Sequence, residues 1–200
     1  MIDIVILCPI AVEYTAVRKC LTNWSAQKII QYDLPFELGQ IEAGQKKWTI
    51  ALFETGKYID NVHVKTSQIL HALHPSYLFL IGVAGGVKDV KIGDLVVGTF
   101  AYGYEKGKVS EKGFEARPRV IPFSQELIDE AKQLSREISP TDYRIVFGPI
   151  NSGDKVLASI NAEQLSIIKK QYGDTIASEM EAIGFAEAAA KIKQLQMLSF

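Results

Sequence analysis

Residues 77–86 read Tyr-Leu-Phe-Leu-Ile-Gly-Val-Ala-Gly-Gly, an apolar run that gives way to glycine. The apolar part lacks polar alternation, which is typical of a strand that is buried on both faces. The glycines that follow indicate a turn in which backbone N–H groups can approach a ligand. The pattern is neither the G-x-G-x-x-G of dinucleotide-binding turns nor a Walker A motif. It predicts a buried strand and a tight turn, which is either purely structural or part of a ligand site.

A similar succession of strand, turn and helix recurs along the chain. Residues 3–8 form a second apolar run, and residues 11–21 and 59–74 have helical spacing of apolar side chains. Further strands are predicted at 37–43, 48–54, 93–99, 143–150 and 175–178, and further helices at 127–138, 165–172 and 180–191. Such alternation predicts a three-layer α/β/α fold, with a central mixed, mostly parallel sheet flanked by helices.

Composition limits the classes of function. The chain has 200 residues, of which 48% are hydrophobic and 22% charged, as expected for one globular domain spanning residues 1–200. A formal net charge of -1 does not favour a nucleic-acid or membrane-surface partner. No run approaches the ~20 apolar residues of a membrane span, and no signal peptide is evident, so a cytoplasmic location is expected. Cys8 and Cys20 are too few for a disulfide framework and are expected to be buried.

Polar residues follow several of the predicted strands. Glu13 opens the first helix, Ser152-Gly153-Asp154 follows the strand at 143–150, and Glu179-Met180-Glu181 follows the strand at 175–178. Each motif alone is also explained by turn formation or by the helix dipole. Because parallel strands end at one edge of a sheet, we expect these motifs to converge with the glycine-rich turn. Carboxylates beside a glycine cradle suit a small ligand that carries hydroxyl groups, such as a sugar.

Residues 102–120 contain many glycine and charged residues and are predicted to form an exposed loop with a hairpin. Tyr102, Tyr104, Arg117 and Arg119 either cover a ligand there or are simply exposed. The three histidines of the chain do not supply the four ligands of a typical zinc site, so neither a metal nor a cofactor is expected.

These motifs, in this order, resemble the nucleoside phosphorylase/nucleosidase superfamily. They are most similar to its methylthioadenosine/S-adenosylhomocysteine nucleosidase-like branch, which includes nucleosidase-like domains of multidomain bacterial proteins. The matching segments are residues 9–17, 55–61, 82–86, 92–97, 152–154 and 178–182. The resemblance implies a phosphorylase/hydrolase-like fold and cleavage of the N-glycosidic bond of a purine nucleoside.

The resemblance also implies roles for individual residues. The catalytic pair would be Glu13, which activates the attacking water, and Glu181, which binds the ribose hydroxyls. The implied substrate-binding residues are Ala84, Gly85, Val156, Leu157, Met180 and Glu181. Within this set, the segment at 84–85 lies beside sugar and base, Met180 lines the ribose, and the pair at 156–157 packs against the purine. A homo-oligomer is expected, because family members often complete the site with a neighbour's residues.

Two departures from the family separate the functional hypotheses. The family's last strand ends in an Arg-Gly-Ile-Ser-Asp-like motif whose Asp protonates the purine, and this sequence ends at Phe200, where that strand would begin. A domain without the family's last strand and helix is therefore expected. The early phosphate-binding loop of the purine phosphorylases is also absent, which favours water over phosphate as acceptor. The alternatives are a phosphate-dependent phosphorylase and a nucleoside sensor without turnover that signals to a partner or fused effector domain.

Overall fold

The structure, a computed structural model, describes residues 2–111, 113–138, 143–154 and 163–200. The strands within these ranges are β1 (Ile4–Cys8), β2 (Thr22–Ile29), β3 (Leu34–Ala43), β4 (Lys46–Glu54), β5 (Tyr77–Leu80), β6 (Gly85–Gly86), β7 (Leu95–Gly103), β8 (Gly107–Ser110), β9 (Gly113–Ala116), β10 (Arg119–Pro122), β11 (Ile145–Ser152), β12 (Ala177–Glu179) and β13 (Gln196–Ser199). The α-helices are α1 (Ala11–Arg18), α2 (Ile59–Leu73), α3 (Gln125–Ser135), α4 (Glu163–Gln171) and α5 (Ala182–Ala189). None of these helices is both long and apolar enough to cross a membrane.

The predicted α/β architecture is confirmed, with mixed sheets flanked by helices. The larger sheet has the strand order β13-β5-β1-β4-β3-β2, and its first four strands are parallel. The second sheet has the order β10-β7-β11-β12-β6, in which β7, β11 and β12 are parallel. β8 and β9 form a separate hairpin. Strand pairing therefore divides the expected central sheet into two hydrogen-bonded sheets.

The core explains why the apolar runs become central strands. Val5 and Leu7 of β1 are fully buried, because β1 has a neighbouring strand on each side and side chains packed on both faces. The helix α5 contacts β7, β10, β11 and β13, and it also packs against α2. Phe185 of α5 and Phe53 of β4 join the same buried cluster. The packing of α5 thus connects the two sheets.

Three local expectations differ from the structure. The strand β2 was not predicted, because all its residues except Ile29 are exposed and it is held by antiparallel pairing with β3. Cys20, expected to be buried, is exposed just beyond the end of α1. Tyr104, expected in an exposed loop, is only 3% exposed because it packs against Ile168 and Tyr172.

Candidate active site

A cleft of about 340 Å³, part of it open to solvent, lies beyond the carboxyl ends of β1, β5, β12 and β13. Ala84 and Phe200 contribute apolar lining, and Glu179 and Glu181 contribute carboxylates. The carboxyl ends of parallel strands in α/β folds are the usual place for ligands. The glycine-rich turn and the motif at residues 179–181 both line the cleft, although the strands that precede them, β5 and β12, belong to different sheets.

Glu13 joins the first helix to the glycine-rich turn. One carboxylate oxygen, Oε2, accepts the N–H of Ile10 at 3.0 Å, and Oε1 accepts the N–H of Val83 at 2.8 Å. A β-carbon at Gly82 would lie 3.2 Å from Oε1, so glycine leaves room for the carboxylate. Both oxygens keep acceptor capacity, since a carboxylate offers about four lone-pair sites.

Glu181 stands at the beginning of α5 and is only 7% exposed. Its Oε1 accepts the N–H of Tyr58 at 3.1 Å, and its Oε2 accepts the N–H of Met180 at 3.2 Å. Burial raises the pKa of Glu181, and the charge of Glu13 acts in the same direction, whereas the two backbone N–H groups oppose the shift. The two oxygens thus form a fixed pair of acceptors at the cleft.

The beginning of α2 faces this carboxylate. Tyr58, the residue before α2, has φ 80°, a conformation that residues with side chains rarely adopt. The N–H of the next residue, Ile59, donates to Oδ1 of Asp154 at 3.2 Å. Two successive N–H groups at this helix terminus are therefore satisfied by carboxylates from segments that follow two strands of the second sheet, Glu181 after β12 and Asp154 after β11.

Glu179 and Ser152 form a hydrogen-bonded pair behind Glu181. The two residues lie opposite each other in the parallel pairing of β11 with β12, and the Ser152 hydroxyl donates a hydrogen bond to Oε1 of Glu179. Both residues belong to sequence motifs that follow predicted strands, but neither is among the predicted site residues. The signal that could have identified them is a polar residue at the last position of each of two neighbouring strands. Loss of water around the Glu179 carboxyl group raises its pKa well above the usual range, and the charge of Glu181 adds to this effect.

The remaining predicted site residues have different positions. Ala84 lines the cleft, whereas Gly85 is exposed and pairs with Ser178 between β6 and β12. Met180 is partly buried and directs its backbone N–H to Glu181. Val156 and Leu157 lie outside the described residues. Within the described ranges, no three His, Cys, Asp or Glu side chains are grouped so that they could hold a metal ion.

The fold is that of an α/β protein, and carboxylates line the cleft at the strand ends. A family model described as the phosphorylase superfamily matches residues 3–200, and the chain belongs to that superfamily.

Curated relatives include 5'-methylthioadenosine/S-adenosylhomocysteine nucleosidases from several bacteria. The one from Staphylococcus saprophyticus is 27% identical over 150 residues, which cover 69% of this chain and 60% of the relative. The one from Haemophilus ducreyi is 25% identical over 192 residues, which cover 91% of this chain and 76% of the relative. The match to the first relative thus spans less than two thirds of its length.

Solved structures share the fold. One of them is the structure of a 5'-methylthioadenosine/S-adenosylhomocysteine nucleosidase from Colwellia psychrerythraea in complex with adenine. Its TM-score to this chain is 0.82, and the sequence identity is 19%. The likeness covers 99% of this chain and 80% of the other chain.

Proposed function

We propose that this protein cleaves the N-glycosidic bond of a purine nucleoside or nucleoside derivative, with water as the acceptor. The observation that carries the proposal is the position of two carboxylates: Glu181 lines the cleft, and Glu13 accepts the backbone N–H of Val83, which also lines it. Each has both oxygens anchored by backbone N–H groups. The names of the curated relatives support the same chemistry, since these are nucleosidases.

Glu181 is the proposed sugar-binding group. A vicinal diol presents two O–H donors, and the two oxygens of one carboxylate can accept both. A hydrogen bond to a charged group is typically worth ~1.5–3 kcal/mol. The anchoring of Glu181 by Tyr58 and Met180 fixes the orientation of its carboxylate before the ligand arrives. Ala84, Gly85 and Met180 are proposed to lie along the sugar and the base.

Glu13 is the proposed general base. It accepts a proton from water as the water oxygen bonds to C1′ of the sugar. The bond between C1′ and the purine nitrogen breaks, and its electron pair leaves with the base. The sugar passes through an oxocarbenium-like state, whose positive charge a nearby carboxylate stabilises. The departing base takes up a proton from solvent, and Glu13 returns its proton to solvent, so that the net reaction adds a hydroxyl group to the sugar and a proton to the base.

Release of free base from a panel of purine nucleosides and nucleotides, with and without phosphate, tests this proposal. Release that does not depend on phosphate is expected, and chromatography identifies the base. Release that requires phosphate would instead establish a phosphorylase. Tight binding measured by calorimetry without any release would establish a sensor and would overturn the proposed reaction.

We also propose that copies of the chain associate beside the cleft. Val12, next to Glu13, is 67% exposed, and Val83, in the glycine-rich turn, is 77% exposed. Large apolar side chains that border a site in this way favour contact with another protein surface. Light scattering is expected to give a multiple of 22.2 kDa, and Val83→Asp is expected to lower the measured mass. A monomer at all concentrations tested would contradict the proposal.

A further inference from the structure

The beginning of α5 has an unusual distribution of hydrogen bonds. The first N–H groups of a helix have no partners within the helix, and the side chain of the N-cap residue commonly accepts one of them. Here the N-cap residue is Glu181, and its side chain makes no such bond. The helix terminus is therefore satisfied by other residues.

Glu179 and Ser152 take over this role. Oε2 of Glu179 accepts the N–H of Glu181 at 2.7 Å and the N–H of Ala182 at 2.8 Å. Oγ of Ser152 accepts the N–H of Ile183 at 2.9 Å. Three successive amides are thus held by two side chains, which are in turn hydrogen-bonded to each other.

This arrangement leaves the Glu181 carboxylate available to the cleft. With its own helix terminus satisfied, the carboxylate turns instead toward the N–H groups of Tyr58 and Met180. If Glu179 were shortened, the amides at 181 and 182 would lack an acceptor. As the side chain of the N-cap residue, the Glu181 carboxylate would then be free to turn back to N–H groups of the first helical turn and to leave the cleft.

We propose that Glu179 and Ser152 are positioning residues that hold Glu181 in place and thereby set the selectivity of the cleft for the sugar hydroxyls. This inference rests on the proposed function, in which Glu181 binds the diol. Selectivity between a riboside and its 2′-deoxy analogue is then the property that the two residues control, because the 2′-hydroxyl is one of the two hydroxyls that Glu181 is proposed to accept.

The test compares kcat/KM for a purine ribonucleoside and its 2′-deoxy analogue. Glu179→Ala is expected to reduce the preference for the riboside about tenfold or more, which corresponds to one hydrogen bond to a charged group. Glu179→Gln is expected to retain the preference, because its carbonyl oxygen can accept the two N–H groups and its amide can donate to Ser152. Ser152→Ala is expected to weaken the preference to a smaller extent.

A matched control is Glu126→Ala, which removes a carboxylate from the first turn of α3 and is expected to leave the preference unchanged. Thermal unfolding followed by circular dichroism separates loss of fold from loss of selectivity. If Glu179→Ala fails to fold, the test rests on Ser152→Ala. An unchanged preference of that variant for the riboside over the 2′-deoxy analogue overturns the proposal.

The outcomes also separate this proposal from the proposed reaction. A wild-type preference that survives in Glu179→Ala overturns the positioning role and leaves the reaction intact. If the wild type binds ribosides without turnover, the reaction fails, and the ratio of dissociation constants replaces the ratio of kcat/KM. Absence of both binding and turnover overturns both proposals.

Discussion

The backbone N–H of Tyr58 donates a hydrogen bond to Oε1 of Glu181 over 3.1 Å, although 123 positions separate the two residues in sequence. Tyr58 has the rare φ of 80°, and it precedes a 15-residue helix that packs against α5. The carboxylate at the start of α5 is therefore fixed partly by the start of α2. This long-range bond is central to the expected behaviour of the site.

The first prediction concerns this carboxylate. Glu181→Gln places an NH₂ group against the N–H of either Tyr58 or Met180, so one acceptor of the pair is lost. We expect kcat/KM for base release to fall about 10–100-fold, the equivalent of one hydrogen bond to a charged group. Glu42→Gln removes an exposed carboxylate that pairs with Lys47, and it is the charge-matched control. Equal activity of the Glu181 variant and the control would contradict the assignment.

A second prediction separates proton transfer from binding. Glu13→Gln removes the proposed base while keeping an oxygen for one of the two N–H groups that hold the side chain. We expect kcat to fall about 10²–10⁴-fold. KM is expected to change much less, because the sugar contacts at Glu181 remain. Steady-state kinetics on folded variant protein measures both, and an unchanged kcat would exclude Glu13 as the base.

The third prediction is a pH dependence of stability. The pKa of Glu179 is raised in the folded protein, so above the ordinary carboxyl pKa of 4.5 the folded state holds a proton that the unfolded state has lost. The free energy of unfolding therefore declines as pH rises from about 4.5 through the raised pKa, by at most about 1.4 kcal/mol per pH unit from this group. Glu179→Gln lacks this titration. Urea unfolding at several pH values should show the wild type losing stability relative to the variant, and parallel profiles would contradict the expectation.

A fourth prediction tests the contact between α5 and α2. A β-carbon at Gly184 would lie 2.3 Å from the carbonyl oxygen of Ile59, the residue after Tyr58. Helix propensity alone favours Gly184→Ala by about 1 kcal/mol, but overpacking typically costs about 1–3 kcal/mol. We expect net destabilisation together with reduced base release, since the helix shift also moves Tyr58. At Gly173 the nearest atom is 3.5 Å away, so Gly173→Ala should be nearly neutral. Similar melting temperatures for the two variants would refute the close packing.

The fifth prediction concerns the thiols. Cys8 is fully buried beneath the site, and burial, with the charges of Glu13 and Glu54, raises its pKa to about 12. Cys20 is exposed. A disulfide reagent at pH 8 should therefore modify one thiol in the native protein and both after denaturation. Rapid reaction of two thiols without denaturant would show that β1 is accessible.

The sequence by itself determined the alternation of strands and helices, because that pattern is local. The apolar run before Gly82 and the helical spacing through residues 59–74 each specify an element through the burial of its own side chains. It also indicated that Glu13 and Glu181 follow strands, and in the structure Glu181 lines the cleft while Glu13 is hydrogen-bonded to Val83, which lines it as well. Their roles as catalytic and binding groups remain predictions.

Only the tertiary structure decided which backbone groups satisfy these carboxylates. The Tyr58–Glu181 bond and the Glu179–Ser152 pair join segments that are distant in sequence, and no local spacing encodes such partners. The exposed strand β2 was not predicted, because it is held by backbone pairing with β3 and not by burial of apolar side chains. Hydrophobic periodicity indicates which side chains of a segment are buried and which are exposed to water. Hydrogen-bond partners, in contrast, depend on which segments the completed fold brings together.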